Sequence, residues 1–452
     1  MNIMKTQTKT THMETGSIPK LLAQLAIPAV VAQVINLLYN IVDRIYIGHI
    51  PGIGAAALTG VGLFTPILML LNAFAMLVGS GGAPRAAIAM GKKDNDLAEK
   101  LLGNCFTLLV GLAVVLTIVF YVSAPTLLRL FGASDVTLTY ATDYARIYIL
   151  GSFFVLIVLG MNTFITTQGF AKISMMTTII GAVINIILDP VLIFGLGPFP
   201  KMGIEGAALA TGIGQAAGAV LYLIFYIVNP LPVKYRKKYL KADLKLWKKL
   251  YVIGIPASLN LALPSLLISV LNVILTGYGE VYVFVLGVYY KLQTFLYLPA
   301  NGIVQGMRPL LGYNYGAGEH KRVHKIFQDG LILVLVMMAA GMAICLAVPG
   351  QLMGLFTANP ITMKAGSVAL RVISLGFLAS SVSVICSGAL EGLGKGVHSL
   401  IISLCRYVVV IIPVAFIVSR FMGAVGVWHA FWITEVVTAV IAYVVYRKGV
   451  KG

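Results

Sequence analysis

Two aspartates stand inside long apolar segments of this 452-residue chain, Asp43 in LLYNIVDRIYIGH and Asp189 in VINIILDPVLIFG. A carboxylate within a membrane-spanning helix costs about 2.5–3.5 kcal/mol on insertion scales, so it normally faces a partner or a cavity. Asn185 precedes Asp189 by four residues and shares its helical face, and Thr211 lies in the next apolar segment. Such carboxylate, carboxamide and hydroxyl oxygens suit a hard cation, and neighbouring carboxylates can equally share a proton.

Asp43, Asp189 and Thr211 are predicted to lie at one depth in the membrane. Each stands about six residues from the same side of its segment, which corresponds to roughly 9 Å of helix. The alternative is a hydrogen-bonded packing network, which Asn and Thr form at lower cost than Asp does. We therefore predict one polar site that holds Na⁺ or a proton.

The segments that must position these side chains are transmembrane helices. Hydrophobic residues make up 59% of the chain and charged residues 11%, against about 45–50% and 25% in soluble domains. This composition excludes soluble enzymes, nucleic-acid-binding proteins and secreted scaffolds. The predicted fold class is an all-α polytopic membrane protein whose twelve transmembrane helices span approximately residues 21–48, 54–80, 97–122, 139–167, 174–196, 205–229, 249–277, 281–307, 324–348, 362–388, 397–420 and 424–446.

The basic residues predict the orientation of the chain. The formal net charge is +18, and 24 of the 33 Lys and Arg residues fall on one side of the predicted membrane. The positive-inside rule makes that side cytoplasmic, so both termini are predicted to be cytoplasmic. The polar residues 1–20 lack the apolar core of a signal peptide and are predicted to form a cytoplasmic tail. We expect a multi-pass protein of the inner (cytoplasmic) membrane.

The two halves of the sequence repeat each other. LAIPA at 25–29 matches IGIPA at 253–257, and RIYILG at 146–151 matches RVISLG at 371–376. Six spans in each half give both copies the same orientation, so an axis along the membrane normal relates them. This repeat predicts an N-lobe at 21–229, a basic cytoplasmic linker at 230–248, a C-lobe at 249–446 and a cytoplasmic C-terminal tail at 447–452.

The two aspartates have no acidic counterpart in the second repeat. The repeat offset places Leu271 opposite Asp43, and the alignment of DPV with IPV places Ile412 opposite Asp189. The predicted cation site therefore belongs to the first lobe alone. Such a two-lobe repeat is typical of alternating-access transporters.

Several of these runs carry a family resemblance, namely LYNIVDRIYIGHI, NIILDPVLIFG, GIEGAALAT, GSGGAPRAAIAMGKKD and LFGAS. At this spacing the chain resembles the multidrug and toxin extrusion (MATE) family, and in particular its bacterial DinF/MepA-type branch. The resemblance implies two six-helix lobes forming a V, and export of cationic amphipathic drugs in exchange for H⁺ or Na⁺. It also implies a cation site at Asp43, Asn185, Asp189 and Thr211, and adds Asn162, which lies nearer the cytoplasmic end of its predicted helix.

Besides Arg371, which begins a predicted span near the outer surface, the predicted second lobe carries three charges whose roles the sequence leaves open, Lys291, Arg406 and Glu435. Some branches of the family have acids in spans 7, 8 or 10, whereas these spans here carry Lys291 and Arg371 instead. A cation site in the second lobe is therefore not expected. Arg406 and Glu435 lie mid-span in predicted helices 11 and 12, where they would form a structural ion pair or contact substrate directly.

Three classes of function are compatible with a polytopic membrane chain. A drug antiporter needs no cofactor beyond its coupling ion, and the chain has neither a Walker A motif nor a metal-binding histidine spacing. A flippase of lipid-linked or other amphipathic metabolites would need several cationic residues along its cavity. A membrane-embedded enzyme would need a nucleophile–base or metal constellation, and none is visible. We expect a non-enzymatic monomer whose partners are small organic cations and the lipid bilayer, without nucleic acid.

Overall fold

The computed structural model describes residues 13–451, except for the side chain of Lys451; the first twelve residues of the predicted N-terminal tail and Gly452 lie outside the described residues. The described chain is helical and contains no β-strand. Its helices are α1 (Ile18–Gly48), α2 (Gly54–Gly91), α3 (Asn95–Leu130), α4 (Asp135–Thr167), α5 (Ala171–Phe194), α6 (Ile204–Val228), α7 (Leu244–Thr276), α8 (Glu280–Gly316), α9 (His320–Ala347), α10 (Pro349–Gly354), α11 (Pro360–Ser374), α12 (Phe377–Gly392), α13 (Gly396–Leu404), α14 (Ile411–Met422) and α15 (Ala424–Lys451).

The predicted all-α membrane fold is confirmed. Within the described part of the chain, eleven helices are long and apolar enough to cross a membrane, where Gly396–Met422 counts as one. The count becomes twelve when α11 and α12, which meet at a bend of 55°, are taken as one broken span. Several helices exceed their predicted lengths, and α2 continues to Gly91. Hydropathy marks only the apolar part of a helix, whereas its backbone hydrogen bonds continue into polar sequence.

The chain divides into two compact units, and both boundaries fall inside helices. The first unit comprises Val31–Gly254 with the described residues before Gly16, and the second comprises Gly16–Val30 and the described part of Ile255–Gly452. One boundary follows Pro28 of α1 by two residues, and the other precedes Pro256 of α7 by one. A proline inside a helix removes one backbone hydrogen bond, so both boundaries coincide with weak points of their helices.

The N-terminal part of α1 packs closely against α8 within the second unit, because α8 has a glycine, Gly306, at the point of contact. A Cβ atom at Gly306 of α8 would lie 2.6 Å from the backbone nitrogen of Ala26. Any side chain at this position would therefore push the two helices apart. In the first unit, α4 packs against α2, α3 and α6, and α5 packs against α6.

The segment between α6 and α7 is fixed to α3. Asn104 of α3 donates to the carbonyl of Tyr239 at 3.1 Å and accepts the amide of Asp243 at 2.9 Å. Thr107, one helical turn further along, donates to the carbonyl of Leu240 at 2.8 Å. The segment at residues 229–243 is therefore a strap that is hydrogen-bonded to α3 of the first unit.

A buried ion pair lies inside the second unit. Arg406 belongs to a π-helical turn, Cys405–Val409, between α13 and α14. Its Nη2 and Nε lie 2.6 Å and 2.8 Å from Oε1 of Glu435 on α15, and the two side chains are only 10% and 13% exposed. Ser383 donates to the other carboxylate oxygen of Glu435 at 3.3 Å. Each charge thus has its counter-charge within the same unit.

We expect Arg406→Met and Glu435→Met each to lower the free energy of unfolding by about 3–5 kcal/mol, because each leaves one buried charge without its partner. The double variant should lose much less than the sum of the two. Thermal and denaturant unfolding of the purified protein in detergent measures the cycle.

The matched control is the pair formed by Arg129 and Asp135, whose side chains are 67% and 100% exposed at a separation of 3.8 Å. Exposed pairs of this kind contribute at most about 1 kcal/mol. Additive losses at Arg406 and Glu435 would contradict a stabilising buried pair.

Candidate cation-binding site

Helices α5 and α6 bring three of the predicted site residues together. The helices approach closely where Gly181 meets Gly214, since a Cβ atom at Gly181 would lie 2.9 Å from the Gly214 carbonyl oxygen. One turn further along α5, Nδ2 of Asn185 donates to Oδ1 of Asp189 and to Oγ1 of Thr211, both at 3.2 Å. Close packing of the two backbones therefore places short polar side chains within hydrogen-bonding distance.

Asp43 reaches the same unit from the C-terminal part of α1. Its side chain is buried, and its charge and that of Asp189 are close enough to interact. The neighbouring Arg44 is exposed. Among the described residues, no cationic group lies within 4 Å of either carboxylate. Two acidic side chains thus share a buried region, and neither forms an ion pair with a described residue.

Three of the four site residues have buried acceptor atoms that no described residue satisfies. Asp43, Asn185, Asp189 and Thr211 are at most 7% exposed. Oδ1 of Asp43, Oδ1 of Asn185 and Oδ2 of Asp189 are buried and have no hydrogen-bond partner among the described residues. Buried acceptors are normally satisfied, because an unpaired one costs about 1–3 kcal/mol. These oxygens suit a hard cation such as Na⁺, or a proton on one carboxylate.

Tyrosines that the sequence analysis did not select lie near the two carboxylates. Tyr39 precedes Asp43 by one helical turn. Tyr144 of α4 is close enough to both aspartates to interact with them electrostatically. Tyr144 stacks on Tyr148 at 5.7 Å, and Phe64 contacts both rings edge-on. The signal in the sequence was the four-residue spacing of Tyr144 and Tyr148, which places both rings on one face of a helix. The rings of Phe64, Tyr144 and Tyr148 therefore form one aromatic cluster in the unit that holds the two acids.

Asn162 occupies a different position in the first unit. Its Nδ2 donates to Oγ1 of Thr177 at 2.9 Å, which links α4 to α5. Thr177 precedes Asn185 by eight residues, or about 12 Å along the helix. Among the described residues, no hydrogen bond joins Asn162 to Asp43, Asn185, Asp189 or Thr211.

The three charges selected in the predicted second lobe belong to the second unit. Arg406 and Glu435 are the ion pair described above. Lys291 of α8 is exposed, and its Nζ lies 5.9 Å from the centroid of the Phe356 ring. Within the described chain no carboxylate lies within 4 Å of this ammonium group.

The second unit also contains a buried polar cluster around one acid that sequence reasoning missed. Glu391, at the end of α12, is buried and forms an ion pair with Arg308 of α8. Its Oε1 accepts hydrogen bonds from Asn260 and Ser399, both at 2.8 Å. The only sequence signal was the acid that stands at the repeat position of Gln168, just beyond the predicted span.

Both the fold and the repeat have counterparts in known proteins. The MatE family model matches residues 28–191 and 256–417, one match in each half of the chain. The multidrug export protein MepA of Staphylococcus haemolyticus is 26% identical over 436 residues, which cover 96% of this chain and 95% of that protein.

Two solved structures, of MATE in the bent and the straight conformation, superpose with TM-scores of 0.90 and 0.89 at 24% identity, and cover 98% of both chains. At this identity the structural likeness supports the fold. The first family match, over residues 28–191, includes Asp43 and Asp189. The second match, over residues 256–417, covers the corresponding segments of the second repeat. The chain therefore belongs to the MatE family of multidrug and toxin extrusion membrane transporters.

Proposed function

We propose that this protein is a secondary active antiporter that exports cationic amphipathic compounds in exchange for H⁺ or Na⁺. The observation that carries the proposal is the pair of buried carboxylates, Asp43 and Asp189, with acceptor oxygens that no described residue satisfies. Membership of the MatE family and the likeness to a staphylococcal multidrug export protein support the substrate class. No other cofactor is needed, because the ion gradient supplies the energy.

The electrostatics of the site supply a physical basis for exchange. When both carboxylates are ionised, they repel each other in a region of low dielectric and attract a cationic compound. A bound proton or Na⁺ neutralises part of this charge and removes the attraction. Exchange then requires only that the ion and the drug weaken each other's binding, by about 1–3 kcal/mol.

Helix α1 is the element through which we expect ion binding to act. It carries Asp43, and Pro28 lies near the point where the helix passes from one compact unit to the other. Ion uptake at Asp43 would favour tighter packing of the C-terminal part of α1, with the bend at Pro28 absorbing the change.

The alternative, a flippase of anionic lipid-linked metabolites, has less support. Such a transporter would need several unpaired cations, whereas Arg406 is neutralised by Glu435. Of the two cations considered for the cavity, Lys291 and Arg406, this leaves Lys291 alone, which is exposed. We further propose that the protein acts as a monomer in the cytoplasmic membrane with both termini in the cytoplasm, as the distribution of Lys and Arg favours.

We expect Asp43→Asn and Asp189→Asn each to abolish ion-coupled efflux, because neither amide can take up and release a charge. The measurement is drug transport in proteoliposomes, with the Na⁺ and pH gradients imposed separately. Asp135→Asn is the matched control, since its side chain is fully exposed, and it should transport like the wild type. Thermal unfolding of all three variants should remain near that of the wild type, and wild-type transport by both site variants would reject this site.

We also expect the affinity for a fluorescent cationic drug to fall as the pH is lowered and as Na⁺ is added, because either ion neutralises the carboxylates. Equilibrium binding to the purified protein measures this dependence. The Asp43→Asn variant should lose most of it, whereas Asp135→Asn should keep it. An affinity that is indifferent to both ions would contradict the antiport scheme even though the family assignment stands.

A further inference from the structure

A basic cavity lies where the strap between α6 and α7 meets α3. It has a volume of about 580 Å³ and lies entirely within the first unit. Its polar lining consists of four lysines together with Asn104, Tyr239 and Asp243, and the lysines are Lys100, Lys238, Lys241 and Lys245. No step of the proposed transport cycle uses this cavity.

The charges around the cavity do not balance. Asp243 is the single acid of the lining, and the Nζ of Lys100 lies 2.8 Å from its Oδ2. That lysine holds the pKa of Asp243 below its ordinary value, so the carboxylate stays ionised and occupied. Lys241 and Lys245 are exposed, and within the described chain no carboxylate lies within 4 Å of either ammonium group. A surplus of positive charge therefore faces the cavity.

The cavity is held in shape by hydrogen bonds to the backbone of the strap. Asn104 fixes the strap at Tyr239 and at Asp243, on either side of Lys241. Lys238 is held separately by Asp96, whose Oδ1 lies 3.2 Å from its Nζ. The lysines are therefore carried by an ordered backbone, which lowers the entropy lost when they bind a common anion.

Apolar groups beside the lysines distinguish between the possible anions. Leu240 and Leu244 alternate with the unpaired lysines, and they are 38% and 73% exposed. Leu244 also begins α7, one of the helices long and apolar enough to cross a membrane. A soluble phosphate would contact the ammonium groups alone, whereas a phospholipid offers its phosphate to the lysines and an acyl chain to the leucines.

We propose that this cavity binds the phosphodiester headgroup of an anionic phospholipid, such as phosphatidylglycerol, from the leaflet on the side of the strap. Lys241 and Lys245 supply the charge that discriminates it from a zwitterionic lipid. The lipid would thereby hold the strap and α3 at the membrane surface. This inference does not depend on the ion or the drug that the protein carries.

Native mass spectrometry of the full-length protein, titrated with phosphatidylglycerol and separately with phosphatidylcholine, tests the proposal. We expect phosphatidylglycerol to bind at least about tenfold more tightly. Because one lysine near an anionic surface contributes roughly fivefold in affinity, Lys241→Gln with Lys245→Gln should weaken phosphatidylglycerol binding by about 25-fold. Both side chains are exposed and unpaired within the described chain, so this variant should fold normally.

The matched control is Lys234→Gln with Lys237→Gln, which removes the same charge from exposed positions of the same linker outside the cavity. It should weaken binding less than about threefold. Equal losses in the two double variants would show diffuse attraction and overturn the site, as would equal affinity for the two lipids. Displacement of phosphatidylglycerol by inorganic pyrophosphate at a comparable concentration would assign the cavity to soluble phosphates and overturn the lipid assignment.

Discussion

The free energy of placing a charge inside an apolar layer is the constraint on which much of this structure depends. The chain meets it in two ways. In the second unit, Arg406 and Glu435 neutralise each other, and Ser383 satisfies a further oxygen, so the charges are closed to other ligands. In the first unit, Asp43 and Asp189 have no cation within 4 Å among the described residues, and each keeps an unsatisfied oxygen. Only the arrangement in the first unit leaves oxygen atoms free to bind a mobile cation.

The internal repeat explains why this arrangement occurs once. The positions that match Asp43 and Asp189 hold Leu271 and Ile412, and Leu271 is fully buried. Apolar side chains at these positions stabilise the second unit by packing, whereas the acids in the first unit give up that stabilisation. One copy of the repeat could therefore gain a polar site while the other kept the fold. The difference between the copies is as informative as their similarity.

The connections between the units consist of continuous helices and of a segment hydrogen-bonded to α3. Both boundaries lie inside helices, next to the prolines of LAIPA and IGIPA, which occupy equivalent places in the repeat. The strap before α7 is fixed by hydrogen bonds between residues about 135 positions apart in the sequence, such as Asn104 and Tyr239. A basic linker that could have been a flexible connection is instead part of the first unit.

The sequence by itself determined the local features of this protein. Composition and hydropathy predicted the helices and their number, because the requirement for a long apolar segment acts on each helix separately. The four-residue spacing predicted that Asn185 and Asp189 share a face, and they are hydrogen-bonded to each other. The family resemblance was also readable in short runs of sequence, and the family match confirms it.

Only the tertiary structure decided which distant residues meet. The close approach of Gly181 and Gly214 sets Asn185 beside Thr211, and the burial of Asp43 depends on helices far away in the chain. The ion pair of Glu391 and the position of Asn162 beside Thr177 were not predictable for the same reason. Hydropathy and helical periodicity report on one segment at a time, whereas these contacts are fixed by how closely separate helices can pack.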